Sequence, residues 1–158
     1  MVIINKTNRG IKMKKSFATP QQYALKVGEI AQLTEDTGEK TSPYFDKLDE
    51  ALQADKLADM SKADFQEIAT AFDDAVDIYQ DAASNLSAVK APARVIGMHK
   101  ALAQVFQEYA DATQAMADAL DVDKQAVDLE AFRHSETQQN DLIVKFGTQL
   151  RRVMMSAM

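Results

Sequence analysis

The stretch APARVIGMHKALAQVF, residues 91–106, opens on a proline and then repeats apolar side chains at Val95, Met98, Leu102, Val105 and Phe106. Steps of three and four put these on one face of an α-helix. The residue before a proline is pushed out of the α region, so Lys90-Ala91-Pro92 reads as a short break with a helix on each side. Downstream the stripe continues through Tyr109, Thr113, Met116 and Leu120, and the turn-forming carboxylates of Asp121-Val122-Asp123 end it. The same pattern of long periodic segments and brief interruptions extends in both directions.

Upstream, Ser61 with Asp64 opens a helix whose stripe is Phe65, Ile68, Phe72, Ala75 or Val76, Tyr79, Ala83 and Leu86. Before it, Thr19-Pro20-Gln21-Gln22 supplies a threonine cap, a proline at the first helical position and a glutamine that closes a capping box. From Tyr23 the stripe runs Val27, Ile30, Thr34, Thr37, Thr41, Phe45, Leu48 and Leu52, and its phase survives Gly38 and Ser42-Pro43. One kinked helix or two collinear ones satisfy that pattern. A last helix carries Leu129, Phe132, Ser135, Gln139, Leu142, Ile143, Phe146, Leu150 and Val153. Long helices with short connections predict an all-α, up-down antiparallel four-helix bundle with a kinked or split first helix.

Of the 158 residues, 46% are hydrophobic and 27% charged, which suits one soluble domain with a real core, placed at residues 19–158. Eight methionines, many alanines and no tryptophan indicate closely approaching helices with adaptable filling. The absence of cysteine removes disulfides, thiolate metal sites and cysteine nucleophiles. Charge is uneven: Lys6, Arg9, Lys12, Lys14 and Lys15 give residues 1–15 a charge of +5, leaving −11 for the rest of the net −6. Residues 1–18 are therefore expected to form a flexible basic arm on an acidic body. The arm offers polyanions only charge, since no nucleic-acid recognition motif accompanies it. No apolar run reaches the length of a membrane span, and no apolar segment follows Met13-Lys14-Lys15 as in an export signal, so a cytoplasmic protein is expected. Met13 is an alternative start.

Little in the chain looks chemical. No nucleophile elbow or phosphate-binding glycine loop occurs. His99 falls roughly 70° from the centre of its helix stripe, and its own helix offers it no partner at Val95 or Ala103. It is expected to be a boundary residue hydrogen-bonded to a neighbouring helix, for instance at Ser87 or Thr148. His134 points away from its stripe and lies at another height, so the two histidines are not expected to share an ion. From Asp121, the positions where a calcium loop needs an oxygen donor, a glycine and a glutamate hold Gln125, Ala126 and Phe132. No cofactor or metal is expected.

The informative feature is where the stripes turn polar. Thr34, Thr37 and Thr41 on the first helix, Tyr109 and Thr113 on the third, and Ser135 and Gln139 on the last fall within about two helical turns of one height. Ile68, Phe72 and Ala75 supply an apolar wall there. A buried hydroxyl or amide must be satisfied by a cross-helix network, by water or by a ligand. One reading is a polar layer that fixes register; the other is a ligand pocket using Thr37, Thr41, Tyr109, Thr113, Ser135 and Gln139.

The segment from Ala91-Pro92 through His99 and Leu102 into a long alanine-rich helix, followed by a polar-to-apolar last helix, resembles small uncharacterised helical-bundle proteins of low-GC Gram-positive bacteria. The likeness covers most of residues 20–156. Some such proteins are exported or lipid-anchored; this chain lacks the apolar signal and the lipobox cysteine. The resemblance implies a bacterial source and no activity. The function expected from the sequence is a non-catalytic interaction or structural protein with an unknown protein partner or self-association, not an enzyme. A small-ligand binder using the polar belt is the alternative.

Overall fold

A computed structural model describes residues 18–158. Among them are four long helices, α1 (Pro20–Gln53), α2 (Lys62–Ala88), α3 (Ile96–Asp118) and α4 (Leu129–Ala157), so the fold is all-α. Single 3-10 turns, Leu57–Asp59 and Ala93–Val95, lie in the first two connections. The basic arm expected at residues 1–18 falls, except for Ala18, outside the described residues. No helix among those described is long and apolar enough to cross a membrane.

The helix starts follow from local chemistry. Thr19 Oγ1 accepts from the Gln22 N–H at 3.1 Å while Gln22 Oε1 accepts from the Thr19 N–H at 3.2 Å, a complete capping box ahead of Pro20. Ser61 Oγ accepts from the Asp64 N–H, and Asp128 plays the same part for Ala131 at the start of α4. The first helix is a single element, not two: α1 runs unbroken past Ser42-Pro43. Proline lacks an N–H, so the carbonyl of Glu39 loses its usual helical donor there.

Every position expected to be core on α2, from Phe65 to Leu86, is buried. The buried side chains form two clusters. The first takes Tyr23 and Val27 from the start of α1, Ala83 and Leu86 from the end of α2, Leu102 and Phe106 from the first part of α3, and Phe146 and Val153 from the end of α4. The second takes Leu48 from the end of α1, Phe65, Ile68 and Phe72 from the start of α2, Met116 from the end of α3, and Phe132 from the start of α4. Packing is closest between α3 and α4 and between α2 and α3, whereas α1 and α4 meet at few points.

Two expectations fail at the α3–α4 connection. The helix ends at Asp118, and Leu120, expected on its stripe, belongs to a minimal hairpin, β1 (Leu120–Asp121) paired with β2 (Ala126–Val127). Two-residue strands are shorter than any window in which periodicity shows. Leu129, also expected inside, is 49% exposed because it is the first residue of α4 and projects beyond the core. Gln125 takes a left-handed φ of 49°, and its Nε2 donates to Met60 O at 2.6 Å and Leu57 O at 3.3 Å. The hairpin is thereby tied to the α1–α2 connection.

Candidate functional site

His99 is a packing residue. It is 5% exposed, deeper than the boundary position expected, and its partners are Tyr23 and Leu86 rather than Ser87 or Thr148. The Leu86 carbonyl can only accept, so the proton sits on His99 Nε2, 2.9 Å away. The neutral ring then accepts at Nδ1 from the Tyr23 hydroxyl at 2.8 Å. Burial holds the imidazole below its ordinary pKa, partly opposed by the Leu86 carbonyl, and burial pushes the Tyr23 phenol up to about 12. Both groups are thus neutral and mutually satisfied, tying α1, α2 and α3 together.

A concave site walled by aromatic side chains lies elsewhere, at mid-height where the two apolar clusters meet. A cavity of about 240 Å³ is walled by Phe45 on α1, by Phe72, Ala75 and Tyr79 on α2, and by Tyr109 and Met116 on α3. Its polar lining comes from Thr41 and Ser42, from Thr113, and from Glu136, Gln139 and Asn140 on α4. Gly38, Ser42 and Asn140 are exposed, which puts the mouth between α1 and α4, the two helices that touch least. Of the six residues singled out from the sequence, Thr41, Tyr109, Thr113 and Gln139 line this cavity. Thr37 and Ser135 are buried, 5% and 1% exposed, but lie outside its lining.

The hydroxyls do not form the cross-helix network that a polar layer would require. Each donates to a carbonyl of its own helix: Thr37 to Leu33 O at 2.7 Å, Thr41 to Thr37 O at 2.7 Å, Thr113 to Tyr109 O at 3.0 Å and Ser135 to Phe132 O at 2.8 Å. A helical threonine or serine satisfies itself this way without any help from a neighbour. Among the described residues few bonds of the belt cross between helices, and the Tyr79 and Tyr109 side chains interact with each other. Tyr79 Oη donates to Thr34 O at a long 3.4 Å, and Gln139 Nε2 reaches the Met116 sulfur, a weak acceptor, at 3.5 Å. Burial raises the pKa of Tyr79 and of Tyr109, whose rings stand 5.2 Å apart, so both phenols stay protonated.

Glu136 stands off the apolar stripe of α4, so hydrophobic periodicity does not mark it, although it sits three residues before Gln139 and four before Asn140 on one helix face. Arg133 holds it: Nη1 is 2.9 Å from Glu136 Oε1 and 2.6 Å from Asp49 Oδ1. The guanidinium also lies over the Phe132 ring, which stacks on Phe45 at 5.8 Å. One cation thus serves two carboxylates. Among the described residues no three histidine, aspartate or glutamate side chains gather where an ion would be held. No protein-family model, no curated protein and no solved structure matches this chain.

Proposed function

We propose that this chain is a non-catalytic binding protein: an up-down antiparallel four-helix bundle, bent in its first helix near Pro43, that holds a small ligand in its mid-height cavity. The bundle reading rests on the alternation of helix ends between the two apolar clusters, since each cluster combines the starts of two helices with the ends of the other two. The bend rests on the missing proline donor.

The observation that carries the function is the fate of the polar belt. Hydroxyls and amides inside a bundle cost stability unless they are hydrogen-bonded, and even when bonded they add less than apolar side chains in their place would. Here the threonine and serine hydroxyls bond to carbonyls of their own helices and leave the crossing bonds to Tyr79 and Gln139, yet Thr41, Thr113 and Gln139 border an opening between two apolar clusters. Local rules are broken where function requires it. Clefts between the helices of a bundle are a usual place for ligands. The Thr41 and Thr113 hydroxyls bordering the cavity are bonded to carbonyls, not to a base that would activate them, which favours binding over chemistry. Interaction through the outer faces has less behind it, because the large exposed apolar side chains, such as Leu25, Ile96, Val144 and Met155, are spread over three helices.

A cavity of about 150 Å³ admits benzene, so one of 240 Å³ suits one or two fused rings with a short tail. The test uses 3-methylindole, a neutral probe of that size, followed by ligand-observed NMR and thermal shift on the wild type and on Gly38→Phe. A Cβ at Gly38 would meet only the Tyr79 hydroxyl, at 3.8 Å, so a larger side chain there projects over the cavity without striking backbone. Saturable binding that Gly38→Phe removes supports the proposal. Absence of binding by 3-methylindole and by its cationic and anionic analogues alike, or binding that Gly38→Phe leaves unchanged, overturns it.

A further inference from the structure

The geometry points to a protonated aromatic amine as the occupant of this cavity, an inference that rests on the pocket reading above. The aromatic half of the ligand is set by the walls. Phe45, Phe72, Tyr79 and Tyr109 present ring faces and edges from three helices, and a flat ring packs against such surfaces in offset or edge-on contact. Ring faces also attract a cation placed near them.

The charged half is set by the polar rim. Among the residues lining the cavity Glu136 is the one ionised side chain. Its Oε1 faces Arg133, and its Oε2 has no protein hydrogen-bond partner among the described residues. Arg133 divides its charge between Asp49 and Glu136, so the three side chains together keep one negative charge. Because the protons of Thr41 and Thr113 are committed to Thr37 O and Tyr109 O, their oxygens turn only lone pairs to other groups. An ammonium group, with three donors and a positive charge, matches these acceptors, whereas a ligand carboxylate meets the like charge of Glu136 with no cation in the lining and only neutral donors such as Ser42, Gln139 and Asn140 to offset it.

The chain has no tryptophan, so the fluorescence anisotropy of an indole ligand is read without protein indole background. Three indoles of similar size separate the terms: tryptamine is cationic at neutral pH, 3-methylindole is neutral and indole-3-acetate is anionic. Tryptamine is expected to bind about tenfold tighter than 3-methylindole, with indole-3-acetate the weakest. Glu136→Gln keeps the shape and removes the charge; it is expected to bring tryptamine down to the level of 3-methylindole and leave the latter within about twofold. The ranking on the wild type stands even if that variant folds poorly. If indole-3-acetate binds as tightly as tryptamine, or if folded Glu136→Gln keeps full tryptamine affinity, the amine inference fails while loss of all three ligands in Gly38→Phe still upholds the pocket. If none of the three binds the wild type, the pocket itself is refuted.

Discussion

Removing His99 tests the most demanding polar arrangement in the protein. His99 is 5% exposed and Tyr23 is fully buried, so truncating His99 to alanine leaves the Tyr23 hydroxyl without an acceptor and without access to water. An orphaned buried group of this kind costs about 1 to 3 kcal/mol. The Leu86 carbonyl suffers less, because it also accepts from the Val89 N–H at 3.2 Å. Adding a poorly filled space where the imidazole stood brings the expected loss to about 3 to 5 kcal/mol. His99→Gln keeps a donor and an acceptor on one side chain and is expected to cost about 1 to 2 kcal/mol. Urea unfolding of the two variants gives both numbers. The arrangement also has a pH signature. The folded imidazole titrates below the free value of 6.5, mainly because burial penalises its charged form. Below that value the unfolded chain takes up a proton that the folded chain refuses, so this contribution is complete above about pH 6.5 and is lost as pH falls toward the folded pKa. The decline reaches at most about 1.4 kcal/mol per pH unit. Measured between about pH 7.5 and 5.5, where carboxylates still contribute little, that decline should be present in the wild type and absent from His99→Gln. A loss below about 1 kcal/mol in His99→Ala, or a decline that persists in His99→Gln, would refute this account of the histidine.

Three further outcomes are expected. Gly38→Ala should stabilise the protein by about 0.5 to 1 kcal/mol, because an interior helical glycine gives way to a better helix former whose Cβ makes one ordinary contact, with Tyr79; a lower melting temperature counts against the helical reading of that position. Gln139→Leu should change stability by less than about 1 kcal/mol, since it gives up only a weak bond to Met116, and it should weaken polar ligands more than apolar ones. A loss of several kcal/mol in urea would show that Gln139 anchors the core after all. Gln125→Ala should cost about 1 to 2 kcal/mol by releasing the hairpin from Met60 and Leu57, and Gln125→Gly should cost less, because glycine is relaxed at a φ of 49°. Thermal melts of the pair decide this, and a glycine variant less stable than the alanine one would be inconsistent with it.

The parts of this molecule legible in the sequence are those fixed within one turn or along one face of a helix. Thr19, Ser61 and their partners three residues on define helix starts through bonds that need no distant neighbour. The stripe of α2 from Phe65 to Leu86 is buried as its spacing requires, and the phase of α4 that puts Ser135 inside and Gln139 half-buried is also a local property. The height at which Thr41, Tyr109, Thr113 and Gln139 meet follows from helix rise alone. What the sequence leaves open is which of several available partners each polar group takes. Whether Thr113 bonds across the core or to Tyr109 O depends on how closely the neighbouring helix approaches. Whether His99 is a surface or a core residue depends on Tyr23 arriving from 76 positions away. The cavity exists because α1 and α4 stay apart where the belt lies, and the spacing of two helices nearly a hundred residues apart in sequence is the sum of every packing contact between them.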